Sequence, residues 1–486
     1  MATTRSRHVV LFPFPGQGHH AGFLAIARLL RLELPDATLT LVSTTRNVAA
    51  LRASSKSLSL NFHALPFVPS EHGLPDGCES CSSLPVQAFV NLFEAFESLE
   101  PAFDAYISGL VSRKTSTAAV DVCVIADGFV AWTASVARRH GCAHAVFLSC
   151  GAFGTAVYHA LWKNMPGLPF SSSDDGTLRL AEVPEVGALH RSQLMPCFFE
   201  KDASNRRTAF YRRLIPHGYG TDAVLVNTVQ EFEPTGLAMV RRALGGKVPV
   251  WPIGPLVRGQ ESTSVADDDD VLRWLDTQRP ASVLYISFGS QNTIQPKQMM
   301  ELAAALESTG RPFVWVIRPP IGFDIAGEFR DEWLPKRFEA RARASNRGVL
   351  VRGWAPQLRI LAHGATGGFL SHCGWNSVLE SLSNGVPIVG WPLGAEQFYN
   401  VMMLAEEWGV CVELARGNNN AETSVDAVQR SKVAKVLETV MGDTPESAAM
   451  RRRVAEVQKT LKSAWAEDGG SSRTAMHEFL TAVRLQ

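Results

Sequence analysis

Short apolar, β-branched runs alternate with longer stretches of helical periodicity along most of the chain. In the first half, the runs that predict strands are residues 8–14, 38–43, 121–126, 143–148, 224–227 and 248–253. Helical patterns lie between them, for example after residue 18 to about residue 34 and around 131–140. Because strands that alternate with helices form parallel βαβ units, this half is predicted to be an open α/β domain.

The same alternation restarts after a polar stretch, residues 258–270, which has the character of an interdomain linker. Strands are predicted at residues 282–288, 313–317, 349–352, 367–370 and 387–390, and helices dominate after residue 425. We expect an N-terminal domain over 1–253, a linker over 254–270, a second domain over 271–460, and C-terminal helices over 461–486 that pack back toward the first domain. Two facing Rossmann-like domains would place a ligand site in the crevice at the carboxyl ends of their strands.

Charge and hydropathy narrow the classes of protein that fit this pattern. Forty-seven basic residues balance 47 acidic ones, which gives no general attraction to nucleic acid. No apolar run approaches the roughly 20 residues needed to cross a bilayer, and the run 9–14 is too short for a secretory signal. The expectation is a cytoplasmic protein without a membrane span. Nothing in the sequence indicates an oligomer, so a monomer is assumed.

Residues 367–376 combine a predicted strand with the start of a helix near Trp375. A helix N-terminus after a strand favours anions, because its free N–H groups and its dipole point at them. His372 precedes the helix, and Asn376 and Ser377 lie in its first turn. Glu380 shares their face and could accept hydrogen bonds from a ribose. This set fits a nucleoside diphosphate, although His372 alone would more often be a packed histidine and the segment one more capped αβ unit.

The ordered combination His-Cys-Gly-Trp-Asn-Ser-x-x-Glu resembles the signature box of the plant secondary-product UDP-glycosyltransferases. The family box has 44 residues from Trp to Gln, and the segment from Trp354 to Gln397 has that length. Further similarities are Trp-Ala-Pro-Gln at its start, Gly385-Val386-Pro387 within it, and Trp274-Leu275-Asp276 and Ser287-Phe288-Gly289-Ser290 before it. The resemblance implies an α/β fold with two facing Rossmann-like domains of the GT-B type, an active site in the interdomain cleft and a UDP-sugar donor.

The resemblance also implies a role for each matching residue. The implied contacts are Trp354, Ala355 and Gln357 for the uracil, Ser290, His372, Asn376 and Ser377 for the diphosphate, Glu380 for the ribose, and Ser149, Trp375, Glu396 and Gln397 for the transferred sugar. The family more often has Asp where this chain has Glu396, which displaces the carboxylate by one methylene. Gln397 resembles the family members that use glucose.

His19 follows the first predicted strand, at the carboxyl end where ligands bind in open α/β sheets. In the family that this chain resembles, a histidine at this place deprotonates the acceptor hydroxyl, and an aspartate that matches Asp127 orients it. Such a carboxylate fixes the tautomer and stabilises the imidazolium that forms. His20 is interpreted as structural. Without the resemblance, Asp127 could be a plain N-cap of the helix that follows.

Together these assignments predict a direct displacement. The acceptor oxygen attacks the anomeric carbon as His19 removes its proton, and UDP leaves toward His372 and the helix N-terminus. An α-linked UDP-sugar, with glucose the expected sugar, then gives a β-glycoside. No cofactor is expected, since the UDP-sugar is a co-substrate.

Two sequence features could suggest a metal site, but neither has the expected context. Cys78 and Cys81 form a C-x-x-C without a second ligand pair nearby. The acidic run from Asp267 to Asp270 contains the Asp-x-Asp spacing of metal-dependent glycosyltransferases of another fold. It follows the polar linker and not a strand end, so we expect it to cap a helix over 271–275. No metal is predicted.

The acceptor is expected to be a small hydrophobic molecule such as a flavonoid, another phenolic or a terpenoid. We expect it against the N-terminal domain, near residues 67–85 and 150–200. Phe14 and Phe129 flank the predicted base, and Phe198 and Phe199 stand out in the second segment. Each of these rings could equally belong to the core.

Two other functions remain open at this point. Residues 16–21, Gly-Gln-Gly-His-His-Ala, match G-x-G-x-x-A between a strand and a helix, and Arg46 could serve a 2′-phosphate, as in an NADP-dependent oxidoreductase. That interpretation leaves residues 354–397 unexplained, and none of the six tyrosines has a lysine four residues later, as one common reductase dyad requires. The second alternative is a non-catalytic UDP-sugar-binding protein, which would not need His19 and Asp127.

Overall fold

The computed structural model describes residues 6–85, 88–112, 120–168, 170, 176–202, 204–257, 266–325, 327–417 and 428–486. Two parallel β-sheets with flanking helices form two lobes, as the alternating sequence pattern predicts. None of the described helices is long and apolar enough to cross a membrane.

The first lobe contains a seven-stranded sheet. Its strands are β1 (Ser6–Phe12), β2 (Thr38–Thr44), β3 (Asn61–Leu65), β4 (Val120–Asp127), β5 (Ala143–Leu148), β8 (Ala223–Val226) and β9 (Val250–Pro252), while β6 (Thr177–Leu178) and β7 (Leu189–His190) form a separate antiparallel pair. The order is β3-β2-β1-β4-β5-β8-β9, so the chain order reverses between β1 and β4. Ligands bind beside such a switch point, and the register that sets Phe12 beside Ala126 brings the segments after β1 and β4 together.

Helices cover both faces of this sheet. They are α1 (Gln17–Glu33), α2 (Thr45–Ala53), α3 (Phe89–Glu97), α4 (Glu100–Ser112), α5 (Thr133–Arg139), α6 (Ala152–Lys163), α7 (Arg206–Tyr219) and α8 (Pro234–Ala243). In α1, Phe23, Ile26 and Leu30 recur at helical spacing and are buried against apolar strand residues such as Leu11. This burial holds the N-terminal turn of α1, which carries His19, at the carboxyl ends of the strands.

The second lobe repeats the architecture with six strands in the order β12-β11-β10-β13-β14-β15. The strands are, in that order, Gly348–Val351, Phe313–Val316, Val283–Ser287, Thr366–Ser371, Ile388–Gly390 and Cys411–Glu413. The helices are α9 (Ala266–Asp276), α10 (Pro296–Thr309), α11 (Phe338–Ala344), α12 (Gln357–Ala362), α13 (Trp375–Ser383), α14 (Gln397–Glu406), α15 (Arg430–Met441) and α16 (Pro445–Ser463). The order reverses between β10 and β13, so the segments that follow these two strands, which contain Ser290 and His372, meet at a second switch point.

The last helix, α17 (Ser471–Ala482), packs against β9 of the first lobe. Phe479 lies 5.6 Å from Trp251 between ring centroids, and the Trp251 indole N–H donates to Glu478 at 3.2 Å. Met476 and Leu480 share a buried cluster with strand residues of the first sheet. Because α16 continues to Ser463 and packs on α13 and α15, the boundary expected at residue 460 falls inside a helix of the second lobe.

Several predicted boundaries were shifted, for local reasons. β1 ends at Phe12, before the predicted end at residue 14, and the next residue is Pro13, which has no N–H for the ladder. The acidic run does not cap a helix that begins at residue 271, because α9 already begins at Ala266 and the run lies in its first turns. Within the described residues, no group of three or more His, Cys, Asp and Glu side chains is arranged to hold a metal ion.

Candidate active site

A cavity of about 760 Å³ lies between the lobes, at the carboxyl ends of both sheets. The predicted site residues that line it are Phe14, His19, Asp127, Phe129, Ser149, Ser290, Trp354, Ala355, Gln357, His372, Trp375, Asn376, Ser377, Glu396 and Gln397. Glu380 is buried directly behind the wall and accepts a hydrogen bond from Gln357 at 2.6 Å. The two switch points thus contribute opposite edges of one cleft.

Phe198 and Phe199, predicted as acceptor contacts, do not line this cavity. They belong to a short 3-10 turn, Pro196–Phe199, that directs both rings elsewhere. Phe198 is buried against Trp162 with 4.8 Å between ring centroids, and Phe199 stacks on Phe170 at 5.7 Å. The prediction was wrong for these two residues, because both rings are satisfied by neighbours outside the cleft. Met195, Pro196 and Cys197 face the cavity from this segment instead.

The edge of the cleft in the first lobe contains a histidine–aspartate pair. It is called the base edge below, because His19 is the predicted base. His19 Nδ1 lies 2.7 Å from Asp127 Oδ2, and the Phe129 N–H donates to the other carboxylate oxygen at 3.0 Å. Asp127 therefore caps the short turn after β4 and orients His19 at the same time, so the two roles considered for it are compatible. Because Nδ1 is engaged, Nε2 is the ring nitrogen available to a substrate in the cleft.

Burial and neighbouring charges set the protonation of the two adjacent histidines differently. Burial by itself lowers the pKa of His19, but the charge and hydrogen bond of Asp127, with a smaller contribution from Glu396, raise this pKa above the ordinary 6.5. For His20, burial and the charge of His19 lower the pKa to about 4. His20 Nε2 is buried without a hydrogen-bond partner among the described residues, which fits a structural, uncharged histidine.

An aromatic wall stands beside His19. Phe14 and Phe129 both meet the imidazole edge-on, each at 5.6 Å between ring centroids. The rings of Phe14 and Phe129 are 4.8 Å apart, and Phe93 from α3 stacks on Phe129 at 4.9 Å. A flat apolar molecule can therefore pack on this wall while one of its hydroxyl groups faces His19.

The opposite edge is formed by the N-terminus of α13. The helix begins at Trp375, as predicted, after Gly374 in an extended conformation. The Asn376 side-chain amide donates to the Gly18 carbonyl at 3.0 Å and so joins this edge to the first turn of α1, beside His19. The first turn of α13 directs its N–H groups into the cleft, where they can bind phosphate oxygens.

A polar network connects α12 and α13 below this edge. The Gln357 amide nitrogen donates to Ser377 at 3.1 Å and to Glu380 at 2.6 Å, and the Tyr285 hydroxyl donates to the Gln357 carbonyl at 3.2 Å. These buried groups hold one another in position before any ligand arrives. Trp354 lies on the rim and is 52% exposed.

His372 lies between two glycines at the second switch point. A Cβ on Gly289 or on Gly374 would come within 2.6 Å of His372 Nε2, and Gly289 has a φ of +79°. Burial lowers the pKa of His372 to about 4, so the ring is neutral at pH 7 and can donate one N–H without carrying a charge. The two glycines make room for this ring. The segment after β10 that contains Gly289 and Ser290 is called the phosphate loop below, because Ser290 is a predicted diphosphate contact.

Ser149, Glu396 and Gln397, predicted to contact the transferred sugar, lie at one end of the cleft, which is called the sugar end below. The Gln397 carbonyl accepts the backbone N–H groups of Leu393 and Gly394, both at 3.0 Å, so its amide nitrogen is the group available to the cleft. Burial raises the pKa of Glu396. Hydrogen bonds to Glu396 and the charge of a protonated His19 offset this rise only in part.

The Trp375 indole does not face the sugar end. Its N–H donates to the Asn227 carbonyl of the first lobe at 2.6 Å, and its ring stacks near Phe232 at 6.1 Å between centroids. A Cβ on Gly151 would come within 2.9 Å of the indole, so the first lobe fits closely around it. Any contact of Trp375 with the sugar must therefore come from its backbone, while its side chain joins the lobes.

Sequence reasoning missed several cavity residues. Arg318 lines the cleft after β11, and its guanidinium donates to the Ser290 carbonyl beside the phosphate loop. Its position after a strand end could have identified Arg318 as a cleft residue from the sequence. Cys81 and Met195 also line the cleft, but they come from irregular segments with no periodicity that could place them.

Two facing α/β lobes, with a helix N-terminus on one side of the cleft and a histidine–aspartate pair on the other, have the architecture of a GT-B glycosyltransferase. Comparison with solved structures agrees: Glycyrrhiza uralensis UGT73P12, complexed with glycyrrhetinic acid 3-O-monoglucuronide, has a TM-score of 0.82 at 28% identity, covering 99% of this chain and 96% of that one. The family model for UDP-glucoronosyl and UDP-glucosyl transferases matches residues 269–444.

Two relatives extend the match to nearly the full length of the chain. UDP-glycosyltransferase 92A1 of Arabidopsis thaliana is 38% identical over 100% of this chain and 99% of its own. Crocetin glucosyltransferase 3 of Crocus sativus is 37% identical over 83% of this chain and 86% of its own. The chain belongs to the plant UDP-glycosyltransferase family, and it is an enzyme that transfers a sugar from a UDP-sugar to small molecules. The oxidoreductase and the non-catalytic alternatives are therefore set aside.

Proposed function

We propose that this enzyme transfers glucose from UDP-glucose to a hydroxyl group of a small hydrophobic acceptor, with inversion at the anomeric carbon. The observation that carries the proposal is the pair of His19 and Asp127, 2.7 Å apart, between an aromatic wall and the N-terminus of α13. A base oriented in this way stands where an acceptor hydroxyl on the wall can approach a sugar held by the opposite edge.

In the proposed reaction, His19 Nε2 accepts the proton of the acceptor hydroxyl while that oxygen attacks the anomeric carbon. Asp127 keeps Nδ1 protonated and stabilises the imidazolium as it forms. The bond between the anomeric carbon and the β-phosphate oxygen breaks, and its electrons leave with UDP. The positive end of α13, the neutral His372 ring and Arg318 lie where they can stabilise the charge on the departing diphosphate. Since these groups supply the compensation, the proposal includes neither a metal nor another cofactor.

Glucose is proposed because the sugar end combines Gln397 with the half-buried Glu396. An amide nitrogen and a carboxyl group side by side can bind adjacent equatorial hydroxyl groups. The longer side chain of Glu396 reaches further into the cleft than an aspartate would. Ser149, at the end of β5, lines the same end of the cleft and is proposed to contact the sugar there.

The acceptor class follows from the wall of Phe14, Phe93 and Phe129. Flat phenolics such as flavonoids can stack on it, and an apolar terpenoid can pack against it. The names of relatives support small-molecule acceptors: one is a crocetin glucosyltransferase, and another is a flavonoid 3-O-glucosyltransferase of Fragaria ananassa.

A donor and acceptor screen tests the proposal. The enzyme is incubated with UDP-glucose, UDP-galactose or UDP-xylose and a panel of phenols and terpenoid alcohols, and products are detected by mass spectrometry. We expect glucosides as the main products, with the β configuration in the proton NMR spectrum. An α-linked product would contradict the single displacement, and a preference for galactose or xylose would contradict the glucose assignment.

A further inference from the structure

The 77–81 loop, Gly77 to Cys81, is fixed at one end by helix α2. The Arg46 N–H donates to the Glu79 carboxylate at 2.9 Å, and the Asn47 amide donates to the Glu79 carbonyl at 2.7 Å. Gly77 has a φ of +71°, and a Cβ there would come within 2.6 Å of the Arg46 guanidinium. The loop therefore has little freedom to move away from α2.

At its other end the loop binds the turn before His19. The Ser80 hydroxyl and the Cys81 N–H both donate to the Pro15 carbonyl, at 2.9 Å and 3.0 Å. The residue after Pro15 is Gly16, and a Cβ there would come within 2.8 Å of His19 Cδ2. A displacement of the Pro15 carbonyl would therefore move Gly16 against the imidazole or away from it.

The Cys81 side chain continues this connection to the second lobe. It lines the cleft, as does Gln291, which follows Ser290 in the phosphate loop. Burial raises the pKa of Cys81 to about 12, although the nearby Gln291 side chain lowers it, so the group stays a thiol and is a poor nucleophile at neutral pH. Its environment suits a structural contact and not redox chemistry.

We propose that Ser80 and Cys81 are positioning residues: Ser80 holds the turn that supports His19, and Cys81 couples this turn to the phosphate loop across the cleft. The proposal rests on the assignment of His19 as the base. Neither residue touches the reacting atoms, so both act through the residues they hold.

The first test uses Ser80→Ala with two acceptors from the screen, an alcohol and a phenol whose pKa lies below the assay pH. The change removes the hydrogen bond to the Pro15 carbonyl and the two contacts with Ser82. Loss of the bond to Pro15 should lower kcat for the alcohol by about three- to tenfold, because that acceptor needs a well-placed base. The ionised phenol needs no proton removed, so its kcat should change less than about twofold. Ser80→Thr keeps the hydroxyl and should restore the alcohol reaction.

Ser308→Ala is the matched control, because the Ser308 hydroxyl also donates to a backbone carbonyl, at 2.8 Å, but in α10. It should leave both acceptors unaffected. An equal loss for the alcohol and the phenol in Ser80→Ala would mean general damage and would overturn the role of Ser80. An unchanged alcohol reaction in Ser80→Ala would also overturn the role of Ser80.

The second test is a double-mutant cycle of Cys81→Ala and Gln291→Ala, measured as KM for UDP-glucose. If the two side chains act as one contact, each single change should raise KM by about two- to fivefold, and the double variant should be no worse than the poorer single variant. Effects that simply multiply would contradict the coupling.

NMR titration of His19 separates a failure of this inference from a failure of the proposed function. In Ser80→Ala the contact with Asp127 should loosen, and the pKa of His19 should fall because burial then acts with less opposition. If His19→Ala retains full transfer to alcohols, the base assignment is wrong, whereas an unchanged pKa of His19 in Ser80→Ala refutes the positioning role itself.

Discussion

The two edges of the cleft are built on the same kind of switch point, yet they hold their side chains differently. At the nucleotide edge, Gln357 donates hydrogen bonds to both Ser377 and Glu380 within a short span of sequence. At the base edge, His19 and Asp127 are 108 residues apart and are surrounded by aromatic rings. A nucleotide presents a fixed set of polar groups and matches a fixed polar network. An acceptor needs only an apolar surface and one well-placed hydroxyl group.

The contrast is tested most strongly at His19. His19→Ala should lower kcat for alcohol acceptors by about 10²- to 10⁴-fold, since the base is lost. The dissociation constant of UDP, measured by calorimetry, should stay nearly unchanged, because the nucleotide edge lies in the other lobe. His20→Gln is the control and should retain most of the activity. Retained transfer in His19→Ala would contradict the assignment of the base.

Asp127→Asn should have the next largest effect and lower kcat/KM by about 10²-fold. The amide would favour the wrong tautomer of His19 and make it a weaker base. The acid limb of the pH profile should also move. In the native enzyme we expect activity to fall as His19 gains a proton, and Asp127 holds the pKa of His19 above 6.5. Without that charge, only the weaker influence of Glu396 opposes burial, and the limb should shift to lower pH. A limb that stays in place would mean that another group controls it.

Glu380→Gln should raise KM for UDP-glucose by about tenfold with a smaller change in kcat, because the carboxylate would bind the ribose and orders Gln357. The measurement is initial rate against UDP-glucose concentration at saturating acceptor. Glu339→Gln is the matched control: Glu339 pairs with Arg352 outside the cleft and should not affect KM. A fall in kcat without a change in KM would place Glu380 with the chemistry and not with the nucleotide.

Phe129→Leu should have the smallest effect, a rise of about threefold in KM for flat phenolic acceptors. Loss of one stacked ring removes roughly 0.5–1.5 kcal/mol of aromatic contact. KM for UDP-glucose and for aliphatic alcohols should change little. Equal effects on phenolic and aliphatic acceptors would show that Phe129 acts as core and not as a stacking surface.

The sequence was most informative where one segment contains the whole arrangement. The start of α13 at Trp375 and the polar face formed by Ser377 and Glu380 could be predicted, because helical spacing alone places them. Most strands of the two parallel sheets followed from periodicity, but the edge strands β3 and β15 were not predicted, and β1 ended and α9 began away from the predicted residues.

Contacts between distant segments could not be predicted in the same way. Asn376 bonds Gly18 across 358 residues, and Trp375 bonds Asn227 across 148, so a residue expected to face the ligand can be used to join the lobes. Phe198 and Phe199 failed as predictions because an aromatic side chain in an irregular segment carries no periodicity that indicates its direction. Arg318, which follows a strand, was within reach of the rule that identified His19.

The packing of α17 against β9 has a consequence for how the chain folds as it is synthesised. All seven strands of the first sheet have been synthesised once Pro252 is added, but Glu478, which binds Trp251, is added 227 residues after its partner. Until then, the apolar surface beside β9 that α17 covers remains exposed while the second lobe is being made. The first lobe therefore reaches its final packing only after the second lobe has been synthesised.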